Sequence, residues 1–82
     1  MEQIARTSTQ LGAALRRRRR MLGISQAALG AKTKIRQATI SAIERGEPGT
    51  QLRTLANVMA ALGLEIVVRD RSKATDNIEA LL

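Results

Sequence analysis

The sequence predicts an all-α domain of four helices followed by one β-strand. Three observations carry that expectation. Capping residues and glycine stops alternate along the first 63 positions. Between them, apolar residues recur at spacings of three and four. At Leu64 the pattern changes to a short β-branched run. A chain of 82 residues is one small domain. Such a domain buries only about 60% of the surface its unfolded chain exposes, so a second copy is a natural supplement to a thin core.

The elements follow in order. Thr7 and Gln10 read as a capping box, in which Thr7 receives an amide and Gln10 reaches back. The first helix is expected from about Ser8 to Leu22, with Leu11, Ala14, Leu15 and Leu22 on one stripe and Gly23 as its stop. Ser25 caps a second, short helix, Gln26 to about Thr33, that turns Ala28 and Leu29 inward. The third runs from about Gln37 to Arg45, with Ile40 and Ile43 inward, and Gly46 ends it. Thr50 is the expected cap of a fourth helix, Gln51 to Leu62, with Leu52, Leu55, Ala56, Met59 and Leu62 at helical spacing before Gly63. Leu64, Glu65, Ile66, Val67, Val68 and Arg69 then form the one strand candidate. A lone strand leaves its backbone groups without partners, so the same strand from a second copy, related by a two-fold axis, is the simplest complement. A homodimer is expected on that ground. The expected layout is a flexible N-terminus at 1–6, a helical domain at 7–63, a dimerisation strand at 64–70 and a flexible tail at 71–82, in which Ile78, Leu81 and Leu82 are the apolar exceptions.

Composition excludes several functions. The chain has no Cys and no His, which removes thiol chemistry, imidazole or thiolate metal sites and every His-dependent triad; no cofactor is expected. It has no Phe, Tyr or Trp, the rings on which single-stranded nucleic acids stack. Glu44, Glu47, Glu65, Asp70, Asp76 and Glu79 are scattered, with no close pair on one helical face for acid–base work. Met1 to Ser8 has no apolar core of a secretory signal, and no stretch approaches a membrane span, so a cytoplasmic protein is expected. The formal net charge of +7, with eleven arginines among 14 basic residues, favours a polyanionic partner. A basic amphipathic helix on a membrane surface would carry that charge too, but the arginines of the first helix encircle it and no aromatic anchors accompany them.

The spacing of helices two and three makes nucleic acid the stronger reading. A three-residue turn, Lys34-Ile35-Arg36, joins them as in a helix-turn-helix. Gly30, with Ala27 and Ala28 nearby, supplies the small residue such a crossing needs, and Ile35 is an apolar plug in the turn. The start of the third helix would enter the major groove with Arg36, Gln37, Ala38, Ser41 and Ala42 facing outward. Arg bonds guanine, Gln bonds adenine, and Ala meets a thymine methyl. An ordinary helical hairpin with a solvated face would show the same residues. Arg16-Arg17-Arg18-Arg19-Arg20 circle the first helix at about 100° each. Arg18 and Arg19 lie nearest the apolar stripe, so at least one is expected to turn inward toward a carboxylate. The others, Arg16 and Arg20 among them, are free to hold phosphates or simply to keep the surface charged.

Leu11 through Leu64 resembles the helix-turn-helix domain of the lambda-repressor/Xre class. The strings that carry the resemblance are Ile24-Ser25-Gln26-Ala27-Ala28-Leu29-Gly30, Gln37 through Gly46, Leu52-Arg53-Thr54-Leu55, and Ala61-Leu62-Gly63-Leu64. The resemblance implies that Gln26 holds a phosphate and supports the recognition helix, and that Arg19 forms a structural ion pair with Glu44. Lys34, Thr39 and Arg45 join Gln26, Arg16 and Arg20 as expected phosphate contacts. More narrowly, Thr9-Gln10-Leu11, Gln37-Ala38-Thr39-Ile40-Ser41 and the strand Leu64 to Arg69 resemble a HipB-type antitoxin. That implies base contacts from Arg36, Gln37, Ala38 and Ser41, a dimer paired through the strand, a palindromic double-stranded operator, repression of the chain's own operon, a HipA-type serine/threonine kinase toxin as partner, and Ser72 to Leu82 as a flexible tail. A stand-alone Xre-type repressor is the alternative; neither reading expects a small-molecule ligand. Three positions depart from the class: Lys34 stands where Gly is usual in the turn, Arg36 where Ser or Thr caps the recognition helix, and Arg18 where the class is commonly apolar.

Overall fold

The computed structural model describes residues 2–71. Four helices follow one another: α1 (Ser8–Met21), α2 (Gln26–Thr33), α3 (Gln37–Glu44) and α4 (Leu52–Ala61). α3 is the central element, packed against both α1 and α2, and α4 closes the bundle on α2. The core is wholly aliphatic apart from one methionine: Leu15, Leu29, Ile40, Ile43, Val58, Met59 and Leu62 are buried, with Leu11, Ile24, Ile35, Leu55 and Leu64 packed around them.

The helix starts follow the capping chemistry in two cases. Thr7 Oγ1 accepts the Gln10 amide at 3.0 Å, and Gln10 Oε1 accepts the Arg6 amide, so the second half of the box closes one residue before the cap. Ser25 Oγ accepts the Ala28 amide. α3 and α4 start without a side-chain cap, on Arg36 and Gln51. Thr50 is therefore not the cap of α4: the helix begins one residue later than the Thr50 reading requires.

Three helices end alike, on a glycine in the left-handed region. After α1 the Ile24 amide returns to the Arg19 carbonyl, after α3 Glu47 to Ala42, and after α4 Leu64 to Met59. α2 ends instead on Lys34 at φ 60, the one non-glycine residue with positive φ among the described residues.

Period alone misplaces four side chains. Leu22, expected on the α1 stripe, is 44% exposed, because the chain has left the helix by then. Ala28 and Ala56 are exposed, and Leu52 is 70% exposed. α4 turns Val58, Met59 and Leu62 inward rather than Leu52 and Ala56. Its buried face is rotated toward Val58, a residue absent from the expected stripe. Among the described residues there is no strand. Leu64 to Arg69 run from α4 without a ladder, since one chain offers no second extended segment to pair with. Apart from Arg71, the expected tail at 71–82 lies outside the described residues, as do Ile78, Leu81 and Leu82. Before α1, Gln3 accepts a bond from Arg17 and Glu2 pairs with Arg69.

Candidate nucleic-acid interface

The geometry of the α2–α3 pair rests on Gly30. A Cβ there would lie 2.7 Å from the Ile35 carbonyl oxygen, so only glycine lets the turn fold back this tightly. Ile35 is half-buried against the core, as its role in the turn requires. Lys34 adopts φ 60, ψ 31, and its amide and that of Ile35 both reach the Gly30 carbonyl. The expected departure is real: a lysine occupies a conformation that costs an L-residue roughly 1–2 kcal/mol. Lys34→Gly is expected to raise stability by roughly 1 kcal/mol in urea unfolding. If Lys34 holds a phosphate, the same change lowers the slope of log affinity against log salt by about one unit. An unchanged slope removes Lys34 from the phosphate contacts, and a loss of stability refutes the strain argument.

α3 buries Ile40 and Ile43 and turns its opposite side out. Arg36, Gln37 and Ala38 are exposed at its start; Thr39, Ser41 and Ala42 are half-buried. Ala38, Ser41, Ala42 and Arg45 share one stripe at spacings of three, four and seven. Beside it, Ala38, Thr39 and Ala42 border a shallow depression closed on the far side by Pro48, Gly49, Thr50, Gln51 and Thr54. No acidic residue and no side-chain cap occupies the first turn of α3, so its amide end and Arg36 together present positive charge. Of the expected base readers, Gln37, Ala38, Ser41 and Ala42 thus lie on the outer side of α3, Ser41 and Ala42 half-buried, and Arg36 stands before the helix as its cap.

The expected phosphate residues are less uniform. Lys34, Arg16 and Arg20 are exposed. Arg45 is exposed but engaged: it donates to Ser41 Oγ and pairs with Glu47 at 3.0 Å. Neither contact was anticipated, although Glu47 two residues after Arg45 is a pairing the sequence carries. Gln26 is half-buried and donates from Nε2 to Glu44 Oε1 at 3.1 Å.

That bond belongs to the buried polar centre of the domain. Arg19 Nε donates to Glu44 Oε2 at 2.6 Å and Nη2 to Oε1 at 3.0 Å, a two-pronged pair whose side chains are 9% and 5% exposed. Arg19 Nη1 donates to the Ile24 carbonyl at 2.8 Å. The inward arginine of the run is thus Arg19, and its carboxylate is Glu44. The cluster links α1, the α1–α2 loop, the start of α2 and the end of α3. Burial by itself pushes the Glu44 carboxyl up, but hydrogen bonds from Arg19 and Gln26 and the charges of Arg19 and Arg16 outweigh it and hold the group below its ordinary value. The hydrogen bond to Glu44 raises Arg19 in turn, against the effect of burial. Among the described residues no buried side-chain N or O lacks a partner.

Gly12 and Arg18 stand outside the expected site residues but join helices of the bundle. A Cβ on Gly12 would overlap the Ile43 carbonyl oxygen and sit 2.7 Å from that of Glu44, so α1 crosses α3 backbone to backbone. Arg18, at the commonly apolar position, is half-buried and donates from Nε to the Leu62 carbonyl at 2.9 Å. The arginine stem and head fill the place of an apolar residue there. Among the described residues no group of acidic side chains could hold a metal, and no helix is long and apolar enough to cross a membrane.

Comparison with known proteins agrees with this geometry. A helix-turn-helix family model (HTH_3) matches residues 15–68. Among solved structures, a HipB variant in complex with an O2 20mer is 33% identical, covering 88% of this chain and 100% of that one at a TM-score of 0.81. A HipA-HipB-O2-O3 complex matches at 32% identity over 87% and 100% of the two chains, with a TM-score of 0.79. The clp gene regulator ClgR from C. glutamicum is 30% identical over 99% of this chain and 95% of its own, with a TM-score of 0.66. No curated protein sequence matches. The chain belongs to the helix-turn-helix family of the lambda-repressor/Xre class, a family of DNA-binding domains, and within it is similar to HipB.

Proposed function

We propose that the chain is a dimeric, operator-binding antitoxin: it represses its own operon and neutralises a HipA-type serine/threonine kinase. The observation that carries this reading is the likeness to HipB over the whole of that chain, in structures that hold operator DNA and, in one, HipA. The exposed face of α3 supports the DNA half. Arg36, Gln37, Ala38, Ser41 and Ala42 read bases, and Gln26, Lys34, Thr39, Arg45, Arg16 and Arg20 hold phosphates. Ile66, Val67 and Val68 support the dimer half: they are 52%, 68% and 95% exposed, an apolar edge on residues 64–70 that a single chain leaves in water. Pairing Leu64, Glu65, Ile66, Val67, Val68 and Arg69 with a second copy covers that edge. It sets two recognition helices about one turn of DNA apart, roughly 34–36 Å, over a palindromic site. This reading implies a non-enzymatic regulator working in the cytoplasm on the nucleoid, with no cofactor.

Two measurements test it. Gln37→Ala is expected to relax discrimination at one base pair by about 1–3 kcal/mol in gel-shift titrations of selected against scrambled duplex; equal losses on both duplexes refute base reading. Co-purification from the native host is expected to yield a near-stoichiometric kinase. The likeness to ClgR over 99% of this chain favours a second reading, a stand-alone repressor, and recovery of specific DNA without a kinase would establish it.

A further inference from the structure

The last turn of α4 has an unusually complete set of partners, and two of them come from other helices. The Met59 carbonyl receives the Leu64 amide at 2.8 Å and that of Ala60 receives Gly63 at 3.0 Å, the paired bonds of a glycine-terminated helix. That leaves Ala61 and Leu62, whose carbonyls point onward along the axis. Lys32 of α2 reaches the first at 3.4 Å, and Arg18 of α1 reaches the second at 2.9 Å. The Arg18 guanidinium also lies beside the pivot residue: a Cβ on Gly63 (φ 71) would stand 3.2 Å from Nη2. Beyond that point Leu64 is half-buried on the core and every residue from Glu65 to Arg71 is exposed. Arg18 is thus a cation at the negative end of α4, packed against the glycine at which the chain leaves the helix. Among the described residues it has no carboxylate partner.

We propose that Arg18 is a positioning residue for operator spacing: by clamping the Leu62–Gly63 exit of α4, it fixes the direction of residues 64–70 and so the separation of the two recognition helices. The proposal rests on the dimeric reading above. Its leverage is geometric. With residues 64–70 paired across the two-fold axis, the direction in which they leave α4 sets how each helix-turn-helix body is turned about that axis, and so where each α3 meets the duplex. A bond between α1 and the end of α4 therefore acts on spacing without touching DNA. Lys32, a longer and exposed contact, is the weaker member of the clamp.

The test uses duplexes selected by the full chain from a random pool, rebuilt with their inverted half-sites moved apart or together by one base pair. The wild-type chain is expected to prefer its own spacing by about tenfold or more. Arg18→Met, which keeps the aliphatic stem, is expected to bind a single half-site as the wild type does and to show an unchanged helical circular dichroism spectrum. Its spacing preference should shrink to within about threefold, and Arg18→Lys, which keeps a cation on the carbonyl, should restore most of it. A wild-type spacing preference in Arg18→Met overturns the proposal while leaving the dimeric reading intact. A wild-type chain that sediments as a monomer on its selected duplex overturns the dimeric reading, and the proposal falls with it.

Discussion

Glu44→Ala is expected to remove about 3–5 kcal/mol of folding stability, most of what a domain of this size possesses. The loss arises from what stays behind. Arg19 has its side chain 9% exposed and directs two of its donors at the carboxylate. Without Glu44 a guanidinium remains buried with only the Ile24 carbonyl as partner, and the Gln26 amide loses its acceptor as well. Removing both charges is a different experiment. Arg19→Met together with Glu44→Leu leaves no orphaned ion, and the pair is expected to recover most of the loss, because a buried ion pair repays little more than its own desolvation. Urea unfolding of the two single variants and the double variant measures the coupling directly. Additive losses would refute the account.

The same pair gives stability a pH dependence of known sign. Glu44 is held below its ordinary value of 4.5. Its contribution is complete above that value and is lost as pH falls through the depressed folded one. The wild type should therefore lose stability on acidification below about pH 4.5 more steeply than the Arg19→Met/Glu44→Leu chain does. Parallel profiles would show that other carboxylates dominate.

The boundaries of α1, α2 and α3 are legible in the sequence because local chemistry decides them. Thr7 and Ser25 accept amides that their own helices leave free, and glycines accept the backbone sign that ends α1 and α3. The outward face at Arg36, Gln37 and Ala38 is legible in the spacing of α2 and α3, whereas the Arg19–Glu44 pair is legible only through family resemblance, since spacing alone leaves Arg18 and Arg19 equivalent. What distance in sequence separates is harder to read. Arg18 meets Leu62 across 44 positions, and nothing near either residue marks the contact. The buried face of α4 is misread for a related reason: Leu52 and Ala56 keep perfect period, but α4 packs on α2 and the core through Val58, Met59 and Leu62. Periodicity fixes a stripe, whereas the neighbouring helix fixes which edge of the stripe is covered. Residues 64–70 show the limit most plainly. Their β-branched run predicts a strand, and among the described residues none forms.

Gly12→Ala separates two opposing effects of known size. In a helix interior alanine is favoured over glycine by about 0.8–1.0 kcal/mol, so propensity alone predicts a more stable protein. Packing predicts the reverse. The added methyl would overlap the Ile43 carbonyl oxygen and stand 2.7 Å from that of Glu44, and both obstacles are backbone, which cannot rotate aside as a side-chain end does. Relief requires α1 and α3 to part, at a cost of about 1–3 kcal/mol or more for overpacking. Parting them strains the Arg19–Glu44 bonds that span the same crossing and tilts α3, the helix that carries Gln37, Ala38 and Ser41 and starts on Arg36. The net expectation is a loss of about 1–3 kcal/mol by urea unfolding. A fall in affinity for selected duplex should accompany it, persisting under conditions where the variant is fully folded. The second loss is the more informative one, because a purely energetic defect would leave the folded fraction with wild-type affinity. A Gly12→Ala chain more stable than the wild type would show that the α1–α3 crossing is looser than backbone contact.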